Sequence, residues 1–296
     1  MKAVLLAYFG MGIAACLARE GLPYDLHRNI PYAERAGTRQ KFLSLDIYSP
    51  VPSVRGGAPV LIMVHGGGWR AGDKAIDAVG REKAAFFATE GYVYVSVNYR
   101  LSPAVKHPAH VEDVARSIAW VAGHIKSYGG DPSKISLMGH SAGAHLAALV
   151  ATDERHLAAA GAPAGLLKSV ILLDTAGYDI PQNLSKLSEG RFNQAIYESA
   201  FGKDPAVWAD ASPIRHVKAG KPLPRFLIFY TDRKTSGPLS RKFAAALRKA
   251  GAPAGAVLAR GKTHTTLSHD IGDAGDGPSA LILEFLRGAN SFPHSL

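Results

Sequence analysis

Apolar and polar positions follow two rhythms along this chain, and each rhythm predicts an element. Residues 24–50 read as an opening pair of strands. Within them, Lys41-Phe42-Leu43-Ser44-Leu45-Asp46-Ile47-Tyr48 alternates apolar and polar, the period-two signature of a half-buried edge strand. Pro50, Pro52 and Gly56-Gly57 then break the chain. Pro59-Val60-Leu61-Ile62-Met63-Val64 is a continuous apolar run, as expected of a strand covered on both faces. Strand and helix patterns alternate from there. Residues 79–89 predict a helix and 92–98 a buried strand. Val111, Val114, Ile118, Val121 and Ile125 fall at helical spacing within 110–126. Further strands are predicted at 134–138, 169–173, 226–230 and 256–259, and helices at 142–150, 239–249 and 278–286. Such alternation predicts an α/β fold with a mostly parallel central sheet and helices on both faces. Sites in such sheets lie at the carboxyl ends of the strands. Residues 178–224 are the one long interruption: polar, weakly helical, and placed where a cap or pocket wall would stand.

Composition narrows the classes. The chain has 296 residues, 47% hydrophobic and 20% charged, which suits a globular protein with a sizeable core. A formal net charge of +10 raises the question of nucleic acid. The Lys and Arg are scattered, however, and no zinc-finger or RNA-binding signature is present, so the charge reads as a solvated basic surface. Cys16 is the single cysteine, so no intrachain disulfide can form. The 12 His show no metal-ligand spacing, and no metal is expected.

At the start, Met1-Lys2 precedes a short apolar run, Ala3 to Ala18, followed by Arg19-Glu20. This reads as a secretory signal over residues 1–18, with export of the domain at 19–296. Ile13-Ala14-Ala15-Cys16 is also similar to a bacterial lipobox, and lipidation at Cys16 is the one route to a membrane that the sequence offers. Without a signal the chain would be cytoplasmic.

The chemistry centres on Gly139-His140-Ser141-Ala142-Gly143, set between a predicted strand and an Ala/Leu-rich helix. A serine at such a turn has its hydroxyl pushed out over the sheet edge, with helix N–H groups aimed at negative charge forming there. Ser141 is the candidate nucleophile. His65-Gly66-Gly67-Gly68-Trp69 follows another strand; the N–H groups of Gly67 and Gly68, with that of Ala142, are the candidate oxyanion donors. A phosphate loop is excluded, because no Lys-Ser/Thr follows the glycines. His65 reads as a histidine that braces this loop, and Trp69 as a pocket residue. The base is expected on the loop after the last strand, where His264 is favoured over His269 because it is nearer the strand end. The acid is expected after the preceding strand, at Asp232, with Asp174 as the rival.

These motifs resemble those of α/β-hydrolase carboxylesterases of the hormone-sensitive-lipase-like and kynurenine-formamidase-like branches. The resemblance rests on the two glycine motifs, Asn98-Tyr99-Arg100-Leu101-Ser102-Pro103, His107-Pro108 with Asp113, Ala200-Phe201-Gly202 and Ala211-Ser212-Pro213. The order Ser141, Asp232, His264 is the nucleophile–acid–base order of that fold. The chain departs from the group at the acid turn, where the strand runs straight through Tyr230-Thr231 to Asp232 without the usual Gly. The resemblance implies a serine hydrolase acting on a small-molecule ester of short acyl chain or small aryl type, without a cofactor. An amide hydrolase of the arylformamidase type, or a non-catalytic binding protein on the same fold, are the other readings.

Overall fold

A strand covered on both faces is apolar at nearly every position, and the run Ala58 to Val64 meets this condition. The computed structural model describes residues 21–289 and 292, apart from 77, 176 and 187–190 and the side chains of 186 and 191–193. The signal expected at 1–18 and the lipobox-like Cys16 lie outside the described residues. In chain order the elements are β1 (Tyr24–Pro31), β2 (Ser44–Pro50), β3 (Ala58–Val64), α1 (Arg81–Thr89), β4 (Val93–Val97), α2 (Ala109–His124), β5 (Gly130–His140) and α3 (Ala142–Thr152). They continue with α4 (Glu154–Ala159), β6 (Leu167–Leu173), α5 (Ile180–Lys186), α6 (Arg191–Phe201), α7 (Pro205–Asp210), β7 (Arg225–Tyr230), α8 (Ser236–Lys249), β8 (Ala254–Leu258), α9 (Thr266–His269) and α10 (Gly277–Leu286).

Among the described residues the strands form one eight-stranded sheet in the order β1-β2-β4-β3-β5-β6-β7-β8. β2 pairs antiparallel with both β1 and β4; all other neighbours are parallel. In β3, Val60, Ile62 and Val64 point into a core shared with α2, α3 and α8, through Val114, Ile118, Leu146 and Phe243. Leu61 and Met63 point the other way, into a second core with Phe87 of α1 and Ile282 of α10. The apolar run is therefore two interleaved faces.

The expectation of an edge strand at 41–48 is corrected. β2 is second from the edge, inside β1, and nearly every residue in it is buried. Its period-two polarity misleads because the polar members are buried with partners. Asp46 accepts from Lys74 Nζ at 2.6 Å and from the Asn29 amide at 2.7 Å.

Carboxyl ends of the parallel strands gather along one edge of the sheet, and α5–α7 enter between β6 and β7 beside that edge. Among the described residues no helix is long and apolar enough to cross a membrane.

Candidate active site

The turn from β5 to α3 fixes the first residue. Ser141 has φ 55° and ψ −119°, a conformation that costs a non-glycine residue energy and persists only where its surroundings enforce it. The Ser141 amide donates to the Leu173 carbonyl at 2.9 Å, anchoring the turn to β6. Gly143 permits the approach of α3 to β3: a Cβ there would stand 2.1 Å from the Val64 carbonyl oxygen.

The loop after β8 brings in His264. Its Nε2 lies 2.9 Å from Ser141 Oγ, and its Nδ1 lies 2.8 Å from Asp174 Oδ2. A carboxylate can only accept, so Nδ1 carries the proton and Nε2 is left to accept from the serine hydroxyl. His269, at the end of α9, lies on the cavity rim and is exposed, without a bond to Ser141.

The carboxylate at the imidazole is not the one expected. The structure puts Asp174, at the end of β6, against the imidazole; Asp232 is exposed on the loop after β7. The cause is local. β6 turns inward at Asp174 with φ 50°, while its amide donates to the Phe229 carbonyl at 3.0 Å. The loop after β7 brings donors to the carboxylate. Oδ1 accepts from the Thr231 amide at 3.2 Å and from the Ser236 hydroxyl. Oδ2 accepts from Thr231 Oγ1 at 2.8 Å and from Arg233 Nε at 2.9 Å. Asp174 is fully buried. Burial alone would favour its neutral form; hydrogen bonding from His264, the Arg233 charge and the Ser236 hydroxyl outweigh this and hold the carboxyl well below the usual range.

The glycine loop after β3 faces this chain of bonds. Gly67, Gly68 and Ala142 line one cavity with Ser141 and His264, about 510 Å³ in volume. None of their three N–H groups is spent on a partner among the described residues. Gly67, at φ 109°, closes a turn in which its carbonyl accepts from Arg70 and Ala71. A Cβ at Gly67 would stand 2.2 Å from the Ala71 carbonyl oxygen. His65 braces the loop from beneath: its Nδ1 lies 2.7 Å from the Gly66 carbonyl and its ring stacks on Tyr99 at 4.5 Å. Burial pushes its pKa down, so it is neutral.

Trp69 is 3% exposed. Its indole donates to His145 Nδ1 at 3.3 Å and packs edge-on against Tyr197 and Phe201, while one side of it reaches the cavity. Sequence reasoning missed several residues here. α5 and α6 contribute Asn183, Ile196 and Tyr197 to the cavity wall. His140, the variable residue of the serine motif, packs its ring 4.6 Å from His264 and bonds the His264 carbonyl at 2.7 Å. Burial, and then the neighbouring His264, push the His140 pKa down to about 3, so His140 is neutral beside that ring. Among the described residues no group of three or more His, Cys, Asp or Glu is placed to hold a metal ion.

The arrangement can deprotonate a serine, orient the base, and offer three amides to an oxyanion. The BD-FAE family model matches residues 45–246. Esterase LipQ of Mycobacterium tuberculosis is 35% identical over 238 residues, covering 76% of this chain and 53% of that protein. The probable isoprenylcysteine alpha-carbonyl methylesterase ICMEL1 of Arabidopsis thaliana is 30% identical over 258 residues, covering 83% of this chain and 52% of its own length. The chain spans about half the length of these curated relatives. The crystal structure of esterase B from Lactobacillus rhamnosis superposes with a TM-score of 0.72 over 90% of this chain and 84% of that one, at 23% identity, a likeness of fold.

Proposed function

The chain belongs to the BD-FAE family and has the α/β-hydrolase fold, and on that premise we propose that it is a serine carboxylic-ester hydrolase using Ser141, His264 and Asp174. The observation that carries the reading is the unbroken chain of bonds from Ser141 Oγ through His264 to Asp174, at 2.9 and 2.8 Å, on the wall of a cavity. His264 Nε2 takes the hydroxyl proton as Ser141 Oγ attacks the ester carbonyl. The tetrahedral oxygen is received by the Gly67, Gly68 and Ala142 amides, each worth about 3 kcal/mol when placed where the charge develops. His264 then protonates the departing alcohol. Water, activated by the same imidazole, releases the acid from Ser141. Asp174 holds the reactive tautomer and stabilises the imidazolium. The names of the relatives, esterase and methylesterase, agree with this reading.

A cavity of about 510 Å³ suits a small ester. Hydrolysis of p-nitrophenyl esters is expected to be fastest for acetyl to butyryl and to fall steeply toward palmitoyl. Matched anilides are expected at least tenfold slower, and an amide preference of tenfold or more would sink the ester reading in favour of an arylformamidase-type activity.

The pH profile follows from Asp174. Its folded pKa is depressed, so the stability tied to its charge is present above about pH 3.9, the unfolded value, and is lost only as the pH falls through the lower folded value. Asp174 therefore stays ionised down to about pH 4 and adds no proton of its own to the site. The acidic limb of log kcat/KM down to about pH 4 is expected to have a slope of one. A slope of two would mean that a second group titrates in the site.

A further inference from the structure

Arg233 sits on the loop between β7 and α8 and forms part of the cavity wall. Its guanidinium is pinned along one edge by one residue: Nε donates to Asp174 Oδ2 at 2.9 Å, and Nη2 donates to the Asp174 carbonyl at 2.9 Å. His264 Nδ1 shares that same Oδ2, so the guanidinium is one carboxylate oxygen away from the imidazole. The side chain is nevertheless 43% exposed, and Nη1 has no partner among the described residues. A planar guanidinium held along one edge presents its remaining N–H groups in a rigid fork, the shape a carboxylate matches.

The surroundings favour an anion there. Among the described residues that line the cavity, Asp174 is the only acid, and both its carboxylate oxygens and its carbonyl already accept from protein donors. Lys234, next in sequence, is exposed. The formal net charge of +10 adds a long-range field that draws anions in.

We propose that Arg233 is a specificity-determining residue that selects esters carrying a carboxylate, holding that carboxylate on the free edge of its guanidinium while the ester carbonyl lies over Ser141; this rests on the esterase reading above. A purely structural role, bracing Asp174, would affect neutral and anionic esters alike. The ratio between them is therefore the discriminating quantity.

Two matched pairs test it on the full chain by pH-stat. Methyl hydrogen adipate against methyl hexanoate places the carboxylate on the acyl side; 4-acetoxybenzoate against 4-methylphenyl acetate places it on the alcohol side. The wild type is expected to favour the carboxylate ester about tenfold or more in kcat/KM in one pair, a preference that shrinks as ionic strength rises. Arg233→Met is expected to bring that ratio to about one, mainly through KM, and Arg233→Lys to keep part of it. A wild-type preference for the neutral ester in both pairs, or a carboxylate preference that survives Arg233→Met, would overturn the proposal. Should Arg233→Met not fold, the Lys variant and the salt series decide: an unchanged ratio in both overturns it. Turnover of the neutral esters keeps the esterase reading standing even where the selectivity fails. No turnover of any of the four overturns both.

Discussion

Ser141→Ala and His264→Ala are each expected to lower kcat about 10⁶-fold, and the double variant to lower it no further. The two side chains act as one unit: without the imidazole the hydroxyl keeps its proton, and without the hydroxyl the imidazole has nothing to activate. Their atoms are already 2.9 Å apart, so no rearrangement is needed before reaction. A residual rate above that of water is expected in all three variants, because the Gly67, Gly68 and Ala142 amides still receive the oxyanion. His269→Ala is expected to stay within a few-fold of wild type, since that ring is on the rim and bonds neither Ser141 nor Asp174. The check is a burst and steady-state measurement on p-nitrophenyl acetate for the four variants, with melting temperatures to show that each is folded. Additive losses in the double variant, or a crippling His269→Ala, would mean that the base has been misassigned.

Local chemistry makes much of this site legible in the sequence. The serine turn needs a strand, a small residue two positions on and a helix, all within residues 134–150, and these are short-range features that sequence carries directly. His264 follows from counting strands to the last one. Sheet layering was legible too, because a strand such as Pro59 to Val64 is apolar at nearly every position only if helices cover both faces. Asp174 is a different case. Whether the carboxylate at His264 comes from β6 or β7 depends on which strand end turns inward, and here that is set by a single residue at φ 50° and by donors from 57 to 62 residues away, Thr231, Arg233 and Ser236. The missing glycine before Asp232 was the one sequence signal: without a flexible turn, the chain after β7 has no reversal to swing that carboxylate back. The edge assignment of β2 failed for a related reason, since burial of Asp46 depends on Lys74, a partner that no local pattern announces.

Asp174→Asn is expected to lower kcat about 10⁴-fold, whereas Asp232→Asn should change it less than twofold. An asparagine is nearly isosteric with Asp174, and its oxygen could still face one of the donors gathered there. It cannot, however, stabilise an imidazolium, and its amide can present a donor to Nδ1, which drives the imidazole to the tautomer that no longer accepts from Ser141. Rate should therefore be lost mainly from kcat, with KM little changed. Stability should fall as well, because Thr231, Ser236 and Arg233 were arranged around a charge; the partial exposure of Arg233 lets water take over part of its interaction and limits that loss. Kinetics are to be read well below the melting temperature of the variant, so that unfolding does not pass for lost catalysis. Should Asp232→Asn be the damaging change, the loop after β7 would have to move during turnover to carry an exposed carboxylate to His264, and Arg233 would have to release Asp174 for it to do so. The five donors that residues 231–236 already give Asp174 oppose that motion, which is why the larger loss is expected at β6.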